Sequence, residues 1–164
     1  GVSLVRGTYT TDDAVVEGLR MRALWTIRWS LFMRADHALA KRPFTLEEFL
    51  QARHIDVTSP GLVLPGFDQL LASKGLRRNL VLTLNAWEQA LAVIAASDCL
   101  AVLPSSLLDG RAHADAVVRM ESPIEMPPRT LWLLWHRREE NAAVQAWLGS
   151  VIVDLFSEPP TAPA

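Results

Sequence analysis

Residues 82–104, LTLNAWEQALAVIAASDCLAVLP, constrain the fold more than any other stretch of this chain. An apolar run ending at Leu84 is followed by Asn85, a helical pattern over 87–97, and a second apolar run over 100–103 that stops at Pro104. Asn85 is a residue type that accepts a hydrogen bond from the free amides of a helix's first turn, so it reads as the N-cap. A strand, a helix and a strand in succession make a crossover unit, whose two strands run parallel in a sheet covered by helices. Both apolar runs are therefore expected to be buried on both faces.

The remaining periodicity extends the same architecture. Val2 to Val5 is a short apolar piece stopped by Arg6-Gly7 and reads as the end of a strand whose preceding structure is absent. Residues 25–33, WTIRWSLFM, are aromatic and branched, and predict one strand ended by the polar segment 34–37. Thr45 followed by Leu46 and, three residues on, Glu48 is a capping box opening a short helix. A β-like run over 54–58 leads through Ser59-Pro60-Gly61 and Pro65-Gly66 into a helix over 67–73 that stops at Gly75. Residues 105–108 predict a short helical turn and 116–120 another strand. Three prolines within 122–128 exclude a helix there and predict a stiff, extended crossover that serves as a hinge. Residues 129–135 read as a strand, and 141–156 as an amphipathic helix with Val144, Trp147, Leu148, Val151, Ile152 and Leu155 on one side. The tail, 157–164, reads as disordered. Strands alternating with helices predict an α/β fold with largely parallel pairing.

Composition excludes several classes of function. Sixteen basic and eighteen acidic residues leave a formal net charge of −2, so the chain offers no broad cationic surface for nucleic acid. Its single cysteine, Cys99, lies inside an apolar run; there is no disulfide framework, and a reducing, cytoplasmic setting is expected. No apolar run has the length of a membrane span, and the first residues lack a signal-peptide pattern, so no membrane partner is expected. The four histidines are scattered, without cysteine or carboxylate at ligand spacing, so no metal is expected. Ser59, Ser105 and Ser106 lack a nucleophile elbow and read as turn caps or ligand contacts rather than nucleophiles. Gly61 and Gly66 lack the Lys-Ser/Thr of a phosphate loop and read as turn formers. An enzyme would need titratable groups at the strand ends; Thr58, Ser59, Asn85 and Pro104 stand there instead, groups suited to binding without proton transfer.

In open α/β sheets ligands settle beyond the carboxyl ends of strands, beside helix N-termini. Two places fit: Thr58-Ser59 through Phe67, and Leu84 through Trp87. Thr58, Ser59 and Asn85 would supply polar contacts, with Pro65, Phe67 and Trp87 shaping the pocket. The bland readings stand beside these. Asn85 as a cap needs no ligand, and a helical Trp87 near Leu91 and Ile94 packs equally well into a core.

Three segments carry a family resemblance. RADHALAKRPFTLEEFLQARHI, with Asp36, His37, Leu39 and Ala40 in a D-H-x-L-A pattern, resembles the passage between lobes in the effector-binding domain of LysR-type transcriptional regulators. LNAWEQALAVIAASDCLAVLP resembles that family's alanine-rich helix and following strand ending in L-P. RTLWLLWHRREENAAVQAWL resembles its terminal strand and helix, and together the matches reach to about Phe156.

The resemblance implies a periplasmic-binding-protein-like (type 2) two-lobed α/β fold. The expected organisation is a partial first lobe over 1–40, a complete second lobe over 41–124, and a return strand and terminal helix over 125–156. Family members carry an N-terminal helix-turn-helix and further first-lobe elements that are absent from this sequence, so a truncated first lobe and a half-built effector site are expected. The implied function is non-enzymatic sensing: a small effector, an organic acid or aromatic compound, bridges the lobes and alters how an oligomer presents its DNA-binding heads. Implied partners are that effector, further copies of the chain in a dimer or tetramer, and DNA only through the missing domain; no cofactor is implied. Family dimers imply a subunit surface formed by the helix starting at Phe67 and the strand over 79–84. A solute-binding protein of a transporter shares the fold and is the alternative. An upstream helix-turn-helix or an upstream secretory signal separates the two.

Overall fold

The computed structural model describes residues 2–6, 19–58, 66–108, 113, 115–136 and 143–156. The chain divides into two compact units, one formed by Gly1–Ile27 with Pro128–Ala164 and the other by Arg28–Pro127. The division falls at residue 27 rather than at 40. The reason lies in the run WTIRWSLFM, which is two strands: β2 (Leu19–Ile27) ends before Arg28, and β3 (Trp29–Arg34) begins after it in a different sheet. Leu31, Phe32 and Met33 are fully buried in the second unit, which fixes β3 there.

The first unit is a three-stranded antiparallel sheet in which β8 (Arg129–His136) lies between β1 (Val2–Arg6) and β2. A bulge between Ala23 and Trp25 interrupts the β2 register. Helix α4 (Ala143–Phe156) packs on β2, with Ile152 and Val153 against buried Leu24 and Leu133. Trp147 and Leu148, expected on the inner face, are 64% and 36% exposed.

The second unit is a five-stranded sheet in the order β5-β4-β6-β3-β7. Strands β4 (Arg53–Val57), β5 (Asn79–Leu84) and β6 (Cys99–Pro104) run parallel, whereas β3 is antiparallel to both β6 and β7 (Val117–Met120). Parallel pairing is thus confined to the three strands joined by helical crossovers, fewer than expected. Side-chain alternation gives the sheet two cores. Phe32, Ile55, Cys99, Ala101, Leu103 and Val117 face α3 (Trp87–Ala95), which contributes Ala90, Leu91 and Ile94. Leu31, Met33 and Leu100 face the other way, toward Phe49 of α1 (Leu46–Gln51) and Phe67 and Leu71 of α2 (Phe67–Ser73).

Local signals place the helices. The Thr45 hydroxyl accepts from the Glu48 amide at 3.2 Å and the Glu48 carboxylate accepts from the Thr45 amide at 2.8 Å, a closed capping box. A hydrogen bond and ion pair from Arg42, with the Thr45 amide, hold the Glu48 carboxyl down at about 2. Helix α2 ends at Gly75, whose φ of +69° is the left-handed conformation that glycine adopts without steric cost. The Gly75 amide donates to the Ala72 carbonyl and the Leu76 amide to that of Leu71, completing a Schellman turn. In the proline-rich passage, Ile124 and Met126 are buried in the α2-side core, which pins the crossover instead of leaving it loose.

Strand β5 departs from expectation. Among the described residues it is the edge of the sheet, pairs only with β4, and exposes Leu80, Val81 and Leu82. The register slips at Val81, a bulge of the kind that edge strands tolerate. The tail 157–164 lies outside the described residues.

Candidate functional site

Strands β4 and β5 are neighbours, yet the helices that follow them leave toward opposite faces. Helix α2, after β4, packs into the core around Phe49, and α3, after β5, into the core around Phe32. Adjacent parallel strands whose connections diverge in this way leave a crevice beyond their carboxyl ends, where ligands of open α/β sheets bind. Thr58 and Asn85 stand there. Val57 pairs with Leu84, and the Thr58 amide donates to the Leu84 carbonyl at 2.9 Å, so the two residues named from separate segments are brought together. Both are exposed.

The other sequence-named residues fare differently. Asn85 is not the cap of α3: Ala86 occupies that position and supplies no side-chain bond. The helix starts one residue later than the cap reading requires, which leaves the Asn85 amide group outside the helix. Trp87 is half-buried and packs on the α3-side core. Phe67 is 3% exposed, its ring edge-on to Phe49 at 6.2 Å and beneath the Arg78 guanidinium at 5.2 Å. Its ring packs in the core around Phe49. Ser59 and Pro65 lie outside the described residues.

The same sheet edge also holds the Pro104-Ser105 strand end, together with Ser30, Trp29 and Arg119, which the sequence did not single out. Strand β6 ends at Pro104, and the Ser105 amide donates to the Arg28 carbonyl at 2.8 Å where β3 begins. The Ser105 and Ser30 hydroxyls are 2.7 Å apart, and Arg119 Nη1 donates to the Ser105 carbonyl at 2.7 Å. Trp29 Nε1 is buried there without an acceptor among the described residues. The Pro104-Ser105 strand ending was a usable signal. Its partner Ser30 was not, being 75 positions away in the chain.

Thr58, Asn85, Ser30 and Ser105 do not ionise near neutrality, so these four side chains can donate and accept hydrogen bonds but do not act as general acid or base. His54 is buried on β4 four residues before Thr58, where desolvation drives its pKa down to about 4 and its Nε2 lies 2.6 Å from the Phe49 carbonyl. It is neutral and structural. His37 caps the 3-10 turn Ala38–Lys41 by accepting the Leu39 amide at its Nδ1. Among the described residues no three His, Cys, Asp or Glu side chains group as metal ligands, and no helix is long and apolar enough to cross a membrane.

Comparison with known proteins agrees with this architecture. The family model for the LysR substrate binding domain matches residues 8–152. The HTH-type transcriptional activator NahR of Pseudomonas putida is 24% identical over 141 residues, covering 86% of this chain and 47% of the relative. The chain spans about half the length of the curated relatives it matches, and these are transcriptional regulators rather than enzymes. The structure of the probable transcriptional regulator PA0477 from Pseudomonas aeruginosa superposes with a TM-score of 0.72 at 27% identity, covering 86% of this chain and 46% of that one. The Synechocystis PCC6803 CcmR regulatory domain, solved in complex with 2-PG, gives a TM-score of 0.70 at 13% identity over 94% of this chain and 74% of that one, a likeness of fold.

Proposed function

Because this chain belongs to the LysR substrate-binding domain family, we propose that it is the effector-sensing part of a cytoplasmic, DNA-binding transcriptional regulator. The observation that carries the reading is the convergence of Thr58 and Asn85 at the point where the β4 and β5 connections diverge. In this reading a small organic acid or aromatic compound occupies the inter-lobe cleft of the complete domain, with this sheet edge as one wall. Thr58 and Asn85 bond its polar groups and Trp87 lies beside it; Ser59 and Pro65 complete the wall. The Ser30–Ser105 hydroxyl pair, with Arg119 bonded to the same turn, extends the polar row.

Binding without proton transfer can act only by favouring one arrangement of the protein over another, so the effector works through unequal affinity for two lobe arrangements. Those arrangements differ in how an oligomer presents separate DNA-binding heads, since a chain of net charge −2 supplies no DNA surface of its own. The exposed apolar run Leu80-Val81-Leu82 on β5, beside α2, is the surface proposed to pair with a second copy.

The test is a thermal-shift screen of small aliphatic and aromatic acids, 2-PG and benzoate among them, on the full-length protein. A ligand at a hundred times its Kd stabilises the folded state by about 2.7 kcal/mol, a readily measured rise in Tm. Substituting Thr58→Ala or Asn85→Ala should weaken the response at least fivefold in Kd. Unchanged affinity in both variants would move the site elsewhere.

A further inference from the structure

Arg78 immediately precedes β5 and its side chain is 1% exposed, yet its guanidinium joins the two ends of the β4–α2 connection. Its Nε and Nη2 donate to the two carboxylate oxygens of Asp68 at 2.7 and 2.9 Å, and Nη2 also donates to Asp56 at 2.8 Å. Asp56 lies on β4 two residues before Thr58, and Asp68 lies in the first turn of α2, two residues after Gly66. The Arg78 Cζ lies over the Phe67 ring, 5.2 Å from its centroid, so a core side chain and two carboxylates surround the guanidinium. Only arginine can make this contact. A lysine ammonium is a compact charge without the planar fork that grips one carboxylate with two nitrogens while reaching a second.

Burying a cation is costly unless it is paired, and an apolar side chain of similar volume would pack here without that cost. The arrangement is therefore better explained by position than by stability. We propose that Arg78 is a positioning residue for effector binding: by holding Asp56 of β4 and Asp68 of α2 at one point it fixes the end of β4 against the first turn of α2, and so the placement of Thr58 against Asn85. This rests on the reading that the carboxyl edge of β4 and β5 contacts the effector. A strand end that is already fixed loses less freedom when a ligand binds at Thr58, which raises affinity without any contact between Arg78 and the ligand.

The experiment uses the full-length protein with Asp68→Asn and Arg78→Lys, and with Val117→Ala as a destabilised control in the opposite core. Hydrogen exchange at the Thr58 amide and the Kd for 2-PG and benzoate are measured on each. Positioning predicts at least tenfold faster exchange at Thr58 in both clamp variants, unchanged exchange in β6, and a Kd raised about tenfold. Val117→Ala should lower Tm yet leave Kd within twofold. Unaltered exchange at Thr58 overturns the inference whether or not a probe binds. So does unaltered Kd in the clamp variants when Thr58→Ala and Asn85→Ala weaken binding, an outcome that leaves the site itself standing. If the wild-type protein binds neither acid, the reading of the site as an organic-acid pocket fails and the positioning role falls with it.

Discussion

Strands β5 and β6 are six residues each, NLVLTL and CLAVLP, nearly alike in composition and both parallel to β4, yet one is exposed along most of its length and the other is buried. The difference is the number of neighbours. Strand β6 pairs on both sides, with β4 and β3, and sends Cys99, Ala101 and Leu103 into one core and Leu100 into the other. Among the described residues strand β5 has β4 as its one neighbour, and it exposes Leu80, Val81 and Leu82. An apolar run thus specifies a strand here, but the order of strands in the sheet decides whether the run makes core or surface.

The largest expected effect lies on the buried side of that contrast. Leu100→Ala removes a fully buried side chain between α2 and β3 and should cost about 3 kcal/mol in denaturant-unfolding stability. A loss under ~1 kcal/mol would mean that β6 is not the central strand described.

Strand β4, which separates the two, carries the next test. His54 is buried with its pKa lowered to about 4, mainly by desolvation and also by nearby Arg78, against an ordinary value of 6.5. The unfolded chain therefore binds a proton in the window from about 6.5 down to 4 that the folded chain refuses, and stability falls as pH falls through it. From this group alone the loss should reach about 2 kcal/mol between pH 8 and pH 5, and the slope should vanish in His54→Gln. A smaller effect is expected at the turn that feeds β5. Gly75→Ala forces a side chain into a φ of +69° and should cost about 1 kcal/mol.

The smallest effect belongs to β5. Leu82→Lys should change the stability of a single chain by ~0.5 kcal/mol or less, since the side chain is 38% exposed and the partner edge is open. Its signature should appear in light scattering instead, as loss of a dimer or tetramer. If Leu82→Lys destabilises the monomer as much as Leu100→Ala does, the contrast between the strands collapses.

What could be read from the sequence follows the distance over which each determinant acts. The Thr45–Glu48 box and the Gly75 stop are local, and both are present. The break at Arg28 was invisible because β2 and β3 join without turn residues and share an aromatic, branched pattern. The Asn85 cap failed by a single residue, since the same amide one position further from the helix bonds nothing in it. Thr58 and Asn85 were legible as strand-end residues because the ends of parallel strands are predictable from alternation of elements alone, and the pairing of Val57 with Leu84 makes them neighbours. Ser30 and Arg78 were not, since their partners lie 75, 22 and 10 positions away and nothing local marks them.

The nesting of one unit inside the other also sets an order of events during synthesis. Every strand of the five-stranded sheet lies between residues 28 and 127, so that unit can close its cores once α2, α3 and β7 have left the ribosome. The three-stranded sheet cannot. Its middle strand, β8, is made last of the three, after β1 and β2 have waited through the hundred residues of Arg28–Pro127. A stall before residue 129 thus leaves a finished five-stranded sheet attached to strands β1 and β2 that still lack β8, the neighbour they share.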